Sequence, residues 1–79
     1  MKKIKSDELI RLVSKVFKTK EKYISLNSNH RNVKKWDSLN HLKLLIAIES
    51  KYKIKINAET SFKLMSIKEI INYIDKLNK

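Results

Sequence analysis

The 79 residues contain no glycine and no proline. That absence constrains the fold more than any other feature. Glycine and proline are the usual punctuation of a chain, marking turns, helix ends and loops. Without them, element boundaries must be read from helix caps and from changes in apolar periodicity. The first helix is then clear. Ser6 is placed as its N-cap, and Asp7 and Glu8 suit the positive end of the helix dipole. Leu9, Leu12, Val13, Val16 and Phe17 recur at helical spacing, and Lys15 and Lys18 stand near the C-terminal end, where cations are favoured. From Thr19 to Lys35 periodicity is weak and three asparagines occur. This reads as a long, flexible loop with one short turn near Tyr23 to Leu26, pinned by Ile24, Leu26, Val33 and Trp36.

A second helix starts at Asp37 or Ser38, with Asp37 as its N-cap, and runs to about Tyr52. "YKIKI" alternates but has no pairing partner in the chain. It reads as an extended connector with Ile54 and Ile56 turned inward. "NAETSFKLM" reads as a short helix or helical turn offering Phe62, Leu64 and Met65 to the core. A last helix opens with Ser66 and Glu69 in a capping box and carries Ile67, Ile70, Ile71, Ile74 and Leu77 on one stripe. The predicted fold is all-α: a small four-helix bundle of three longer helices and one short one, in a single domain over residues 1–79.

A chain this short buries a limited core. It has no cysteine, which excludes disulfides, thiolate metal sites and a cysteine nucleophile. The start "MKKIK" is basic, but the charge-interrupted "SDELIRLVSKVFK" that follows is not the apolar core of a signal peptide. The longest apolar run, "LLIAI", is far short of a membrane span. A soluble, cytoplasmic, monomeric protein with no membrane partner is expected. The formal net charge is +11. Such a charge fits a polyanionic partner, but Lys, Ile and Asn make up 35 of the 79 residues. That is the signature of an AT-rich coding sequence, and the lysines are scattered from Lys2 to Lys79. Net charge informs on solubility and association more than on specific function.

The second helix carries more apolar surface than a small bundle needs. At 100° per residue, Leu44, Ile48, Tyr52, Leu45, Leu42, Ile46 and Leu39 span roughly 220°, about twice the minimum core-facing stripe. Either the helix is wholly buried, or its flank of Leu39, Leu42 and Ile46, on the Ser38 side, is partly exposed. Asn40, Lys43, Ala47, Ser50 and Lys51 occupy the opposite face. Asp37, Ser38 and His41 suggest a catalytic triad, but the acid of a triad must orient the histidine from the side away from the serine. Asp37 is adjacent to Ser38 and caps the helix. No glycine-rich nucleophile elbow is present. His30 and His41 are the only histidines, and no carboxylate cluster has metal-ligand spacing, so no catalytic or metal residues are assigned. What remains is a serine at a helix N-terminus, where first-turn N–H groups and the dipole favour a phosphate, with Lys34 and Lys35 close in sequence.

These residues resemble a known family. "DSLNHLKLLIAIESKYKIKI" is similar to the second helix of the acyl carrier proteins, with "DSL" as their attachment motif. The resemblance continues through "NAETSFKLMSIKEIINYI" and, with the first helix and long loop, covers nearly the whole chain. It implies a 4′-phosphopantetheine arm on Ser38, derived from coenzyme A and attached by a separate phosphopantetheinyl transferase. Acyl or aminoacyl groups would ride on the arm's thiol as thioesters, between enzymes that load them and enzymes that use them. The protein itself would not be an enzyme. Asp37 would cap the helix and help present Ser38. Leu39, Leu42 and Ile46 match the family's exposed partner-binding positions, with Lys43 beside them. Leu44, Leu45, Ile48, Tyr52, Phe17 and Ile74 would line the core and a pocket for the acyl chain.

Two departures stand out. The family is usually acidic along this helix, whereas this chain offers Asn40, Lys43, Ser50 and Lys51, keeping only Glu49 on the buried side. Steering toward basic partners would be weakened or reversed, which favours dedicated partners in a specialised biosynthetic pathway. The family also commonly has glycine where this chain has Lys53. The alternative reading, a basic helical nucleic-acid-binding module, would need a polar recognition face, and the second helix shows only Asn40, Lys43 and Lys51 there. A nucleic-acid partner is therefore disfavoured. A helical adaptor without a prosthetic group would explain the apolar edge but not Ser38.

Overall fold

The structure, a computed structural model, describes residues 5–77. The basic start of the chain and the terminal Lys79 lie outside them. Four α-helices follow in order: α1 (Ser6–Phe17), α2 (Ser38–Tyr52), α3 (Ala58–Ser61) and α4 (Ile67–Leu77). A single 3₁₀ turn, Glu21–Tyr23, lies in the long connection between α1 and α2. Among the described residues there is no strand, only one isolated antiparallel bridge between Asn29 and Ser66. The fold is the expected all-α bundle. Among the described residues no helix is long and apolar enough to cross a membrane.

Glycine's usual work at helix ends is done by lysine. α1 closes with Lys18 at φ 55°, ψ 49°, donating its N–H to the Lys15 carbonyl, while Thr19 N–H bonds back to Ser14. That pair of bonds is the Schellman pattern. α2 closes with Lys53 at φ 55°, ψ 50°, and both Lys53 and Ile54 donate to the Glu49 carbonyl. A side chain with a Cβ is disfavoured in this left-handed region, where glycine is at ease. The capped carbonyls and the exposed lysine side chains hold the conformation at both ends.

The N-termini follow the sequence with one shift. The N-cap of α1 is Lys5, not Ser6; the Lys5 carbonyl accepts from Glu8 and Leu9, which draws Ser6 into the first turn. Asn57 caps α3 by accepting from Thr60 N–H at 2.7 Å. At α4, Ser66 Oγ accepts from Glu69 N–H at 3.1 Å and donates to Glu69 Oε1 at 3.1 Å. The box thus closes between the two side chains.

The core joins three helices. Leu9, Val13 and Phe17 of α1 meet Leu44, Leu45 and Ile48 of α2 and Ile67, Ile70 and Ile74 of α4. Ile24, Trp36 and Leu64 seal it from the connections, with Val33, Ile54 and Ile56 packed on its margin. Several expected core residues are elsewhere: Leu77 is 48% exposed at the end of α4, Met65 is only half-buried, and Leu26 and Phe62 face solvent. Leu26 is 44% exposed, because the neighbouring Ser28 turns inward and its carbonyl accepts from Ile67 N–H. Phe62 is 78% exposed, since α3 ends at Ser61 and the chain then turns Leu64, not Phe62, into the core.

The α1–α2 connection is held by its own polar side chains, more firmly than a flexible loop. Asn29 Oδ1 accepts from Arg31 and Asn32 N–H, Asn32 Oδ1 accepts from Asn29 N–H, and Ser28 Oγ accepts from Ser25 N–H. His30 N–H then bonds to Met65, tying the loop to the start of α4. These are local side-chain-to-backbone turns of the kind Asn and Ser favour.

Replacing Lys53 with glycine should raise stability by up to about 1 kcal/mol, read as a higher urea midpoint; a lower midpoint would show that the lysine side chain supports the cap. A second prediction concerns Tyr52. Its hydroxyl is buried and finds no hydrogen-bond partner among the described residues. Burial first, and the charge of Glu8 second, push the phenol from 10.0 up to about 12. The folded state therefore holds this proton more tightly than the unfolded chain. The associated stability is complete below pH 10 and is lost as the pH climbs toward about 12. Over that interval the wild type should lose more stability than Tyr52→Phe; equal losses would contradict the assignment.

Candidate functional site at the start of α2

The N-terminus of α2 is built from the core outward. Trp36 is buried and meets the Phe17 ring edge-on, with centroids 5.4 Å apart. The next residue, Asp37, is extended and caps the helix: its Oδ1 accepts from Asn40 N–H at 2.8 Å and its carbonyl accepts from His41 N–H at 2.8 Å. Asn40 Nδ2 donates to the Lys35 carbonyl at 2.8 Å, closing the turn from the other side. Ser38 is the first helical residue and is exposed. Its hydroxyl has no hydrogen bond among the described residues.

Helix geometry leaves the first-turn N–H groups without intrahelical partners. Asp37 takes that of Asn40, so those of Ser38 and Leu39 remain open at the positive end of a 15-residue helix. A phosphodiester on Ser38 fits this field. The lysines contribute unequally. Lys35 Nζ donates to the Lys18 carbonyl at 2.8 Å, so this cation is engaged at the end of α1; Lys34 is exposed.

His41 is committed elsewhere. Its Nδ1 accepts from the Trp36 indole N–H at 3.0 Å, and its Nε2 lies 3.0 Å from the Ser61 carbonyl. A carbonyl only accepts, so Nε2 carries the proton and Nδ1 the lone pair. Neither ring nitrogen is left for Ser38, and Asp37 is turned to its cap. The triad suggested by residue types is not assembled. Among the described residues no group of His, Asp and Glu could hold a metal ion.

The flank beside Ser38 is apolar and open. Leu39 is 62% exposed, Leu42 57% and Ile46 57%, while Leu44 and Ile48 on the same helix are fully buried. The wide apolar arc of α2 is therefore split between core and solvent. Lys43 and Lys51 stand exposed around it. Glu49 is half-buried and accepts from Ile56 N–H at 2.7 Å, so the one carboxylate of α2 holds the α2–α3 connector and is not offered outward. Two features of the site escaped sequence reasoning: the Trp36–His41–Ser61 link and the exposure of Phe62. The link had a faint signal, an indole and an imidazole straddling a helix cap five residues apart.

A small all-helical bundle that presents an exposed serine hydroxyl, free of hydrogen bonds among the described residues, at the head of its longest helix has an arrangement suited to a carrier domain. The family described as "Phosphopantetheine attachment site" matches residues 7–74, and the chain belongs to it. The chain is 42% identical over 43 residues to an acyl carrier protein of Campylobacter concisus, covering 54% of this chain and 56% of the relative. It is 44% identical over 43 residues to an acyl carrier protein of Campylobacter hominis, covering 54% of each. The matched stretch is thus little more than half the length of these curated relatives. As a member of this family the chain is a phosphopantetheine-attachment domain, and the family's prosthetic group is covalent 4′-phosphopantetheine.

Asp37→Ala should lower stability by about 1 kcal/mol through loss of the cap, whereas Asp37→Asn should stay within a few tenths of the wild type. Urea unfolding of both variants checks this; an alanine variant as stable as the wild type would remove the cap from the account.

Proposed function

We propose that Ser38 carries the 4′-phosphopantetheine arm and that the protein shuttles acyl or aminoacyl groups as thioesters on the arm's thiol. The observation that carries this reading is the free, exposed hydroxyl of Ser38 at the open N-terminus of α2. The arm supplies the thiol that a cysteine-free chain lacks. The chain's own residues would hold and present it: Asp37 fixes the turn, and the Ser38 and Leu39 N–H groups are left open to a phosphate on Ser38. A phosphopantetheinyl transferase, with coenzyme A as donor, is the first partner. Acyl-loading and acyl-using enzymes are the next. The workplace is the cytoplasm, where coenzyme A is available, and the carrier works as a monomer.

Leu39, Leu42 and Ile46 are proposed as the apolar docking edge, with Asp37 and Lys43 at its margin. Because α2 shows lysines outward and engages its only carboxylate internally, partners with neutral or acidic docking surfaces fit this carrier. That favours a specialised biosynthetic pathway over one whose enzymes present basic patches.

Incubation with coenzyme A and a broad-specificity transferase should add one phosphopantetheinyl increment to the intact mass of the wild type and none to Ser38→Ala. An equal increment on both would move the attachment point; no increment on folded wild type, with the native transferase also failing, would overturn the reading. Reversing Lys43 and Lys51 to Glu should slow transfer to the cognate loading enzyme, most at low salt. Unchanged rates would assign docking to the apolar edge alone.

A further inference from the structure

We propose that His41 is a positioning residue for loading of the arm: its neutral imidazole bridges Trp36 and Ser61 and thereby fixes the orientation of the turn that presents Ser38. The proposal rests on the reading of Ser38 as the attachment point, and it concerns how the chain holds that serine still.

Trp36 lies two residues before Ser38 and His41 three residues after it. The indole-to-imidazole bond at 3.0 Å therefore closes a ring across the base of the cap, behind the serine. Trp36 is anchored in the core against Phe17, so one side of the ring is fixed to α1. From the other side, His41 Nε2–H reaches the carbonyl of Ser61, the last residue of α3, at 3.0 Å. That carbonyl also accepts from Leu64 N–H at 3.2 Å, which its two lone pairs allow. A single side chain thus joins the residue anchored under the serine, the first turn of α2 and the end of α3. The imidazole is half-buried, as is Ser61, which shields both bonds from competing water.

The two bonds demand one chemical form. Only a neutral ring with its proton on Nε2 can accept from the indole and donate to the carbonyl together. No aliphatic or aromatic hydrocarbon side chain can do so. A glutamine can, because its amide offers one acceptor and one donor. The link also stands apart from Leu39, Leu42 and Ile46, which are on the solvent side. Its loss should therefore disturb the placement of the serine more than the encounter with the transferase. Small misplacements of a reacting group are expensive in rate.

The test uses full-length protein as substrate for a phosphopantetheinyl transferase with coenzyme A, below the unfolding temperature of each variant. His41→Met removes both bonds at similar side-chain length; His41→Gln can retain both. The expected result is a fall of roughly tenfold in kcat for His41→Met with KM within about twofold, and recovery of most of that loss in His41→Gln. Nitrogen NMR of the wild-type imidazole should show a single proton, on Nε2, with an indole N–H of Trp36 slow to exchange. Equal kcat in all three proteins, a loss in His41→Met that His41→Gln does not recover, or an Nδ1–H imidazole would each overturn the proposal. Should His41→Met fail to fold, His41→Leu, which also lacks both hydrogen-bonding groups, takes its place, and the wild-type imidazole spectrum remains a test that needs no variant. A wild type that accepts no arm at all would overturn the Ser38 reading and this proposal with it, and is told apart by its unchanged mass.

Discussion

The edge-on contact between Trp36 and Phe17 is the constraint on which the working end of the molecule depends. A large ring buried at the end of the long connection forces the chain to emerge from the core at one point and in one direction. Asp37 follows immediately and has its carboxylate in reach of Asn40 N–H, so the helix starts there and nowhere else. Ser38 is then the first residue with nothing left to hold it. A free hydroxyl at this place is a consequence of packing and capping beneath it, with the serine itself contributing little to the fold.

The same economy runs through the rest of the chain. With no glycine available, α1 and α2 both end in left-handed lysines, and the carbonyls exposed at those ends find partners nearby. Lys35 reaches the Lys18 carbonyl, linking the end of α1 to the segment that leads into α2. Glu49 holds the connector through Ile56. Charged side chains that might have decorated the surface act as ties between elements. The outward charge of α2 is left to lysines, beside an apolar flank that the core has no room to bury.

Much of this was legible in the sequence, where the determinants are local. The spans of α1, α2 and α4 follow from 3.6-residue periodicity, and Asp37 and Ser66 are caps recognisable by residue type and spacing. The exposed edge of Leu39, Leu42 and Ile46 was one of the two outcomes that the arc width allowed, and the packing of the three helices decided between them. The failures share a cause. Phe62 and Leu64 are two residues apart beside a one-turn helix, and only the three-dimensional path decides which points inward. Ser6 and Lys5 compete for one cap, and the backbone carbonyl of Lys5, invisible to residue-type reasoning, wins. Leu26 yields its place to Ser28 because the latter's carbonyl meets Ile67 across the fold. Likewise, the hand of His41 on Ser61 joins residues twenty apart and could not be read from either neighbourhood.

The most direct measurement of the central claim is the chemical state of Ser38 in protein isolated from its native cells. Trypsin releases the segment from Trp36 to Lys43, which contains Ser38 and no other hydroxyl side chain. Fragmentation of that peptide should place a phosphopantetheine phosphodiester on Ser38. The same arm found on another peptide, or a native population with this peptide wholly unmodified, would contradict the account.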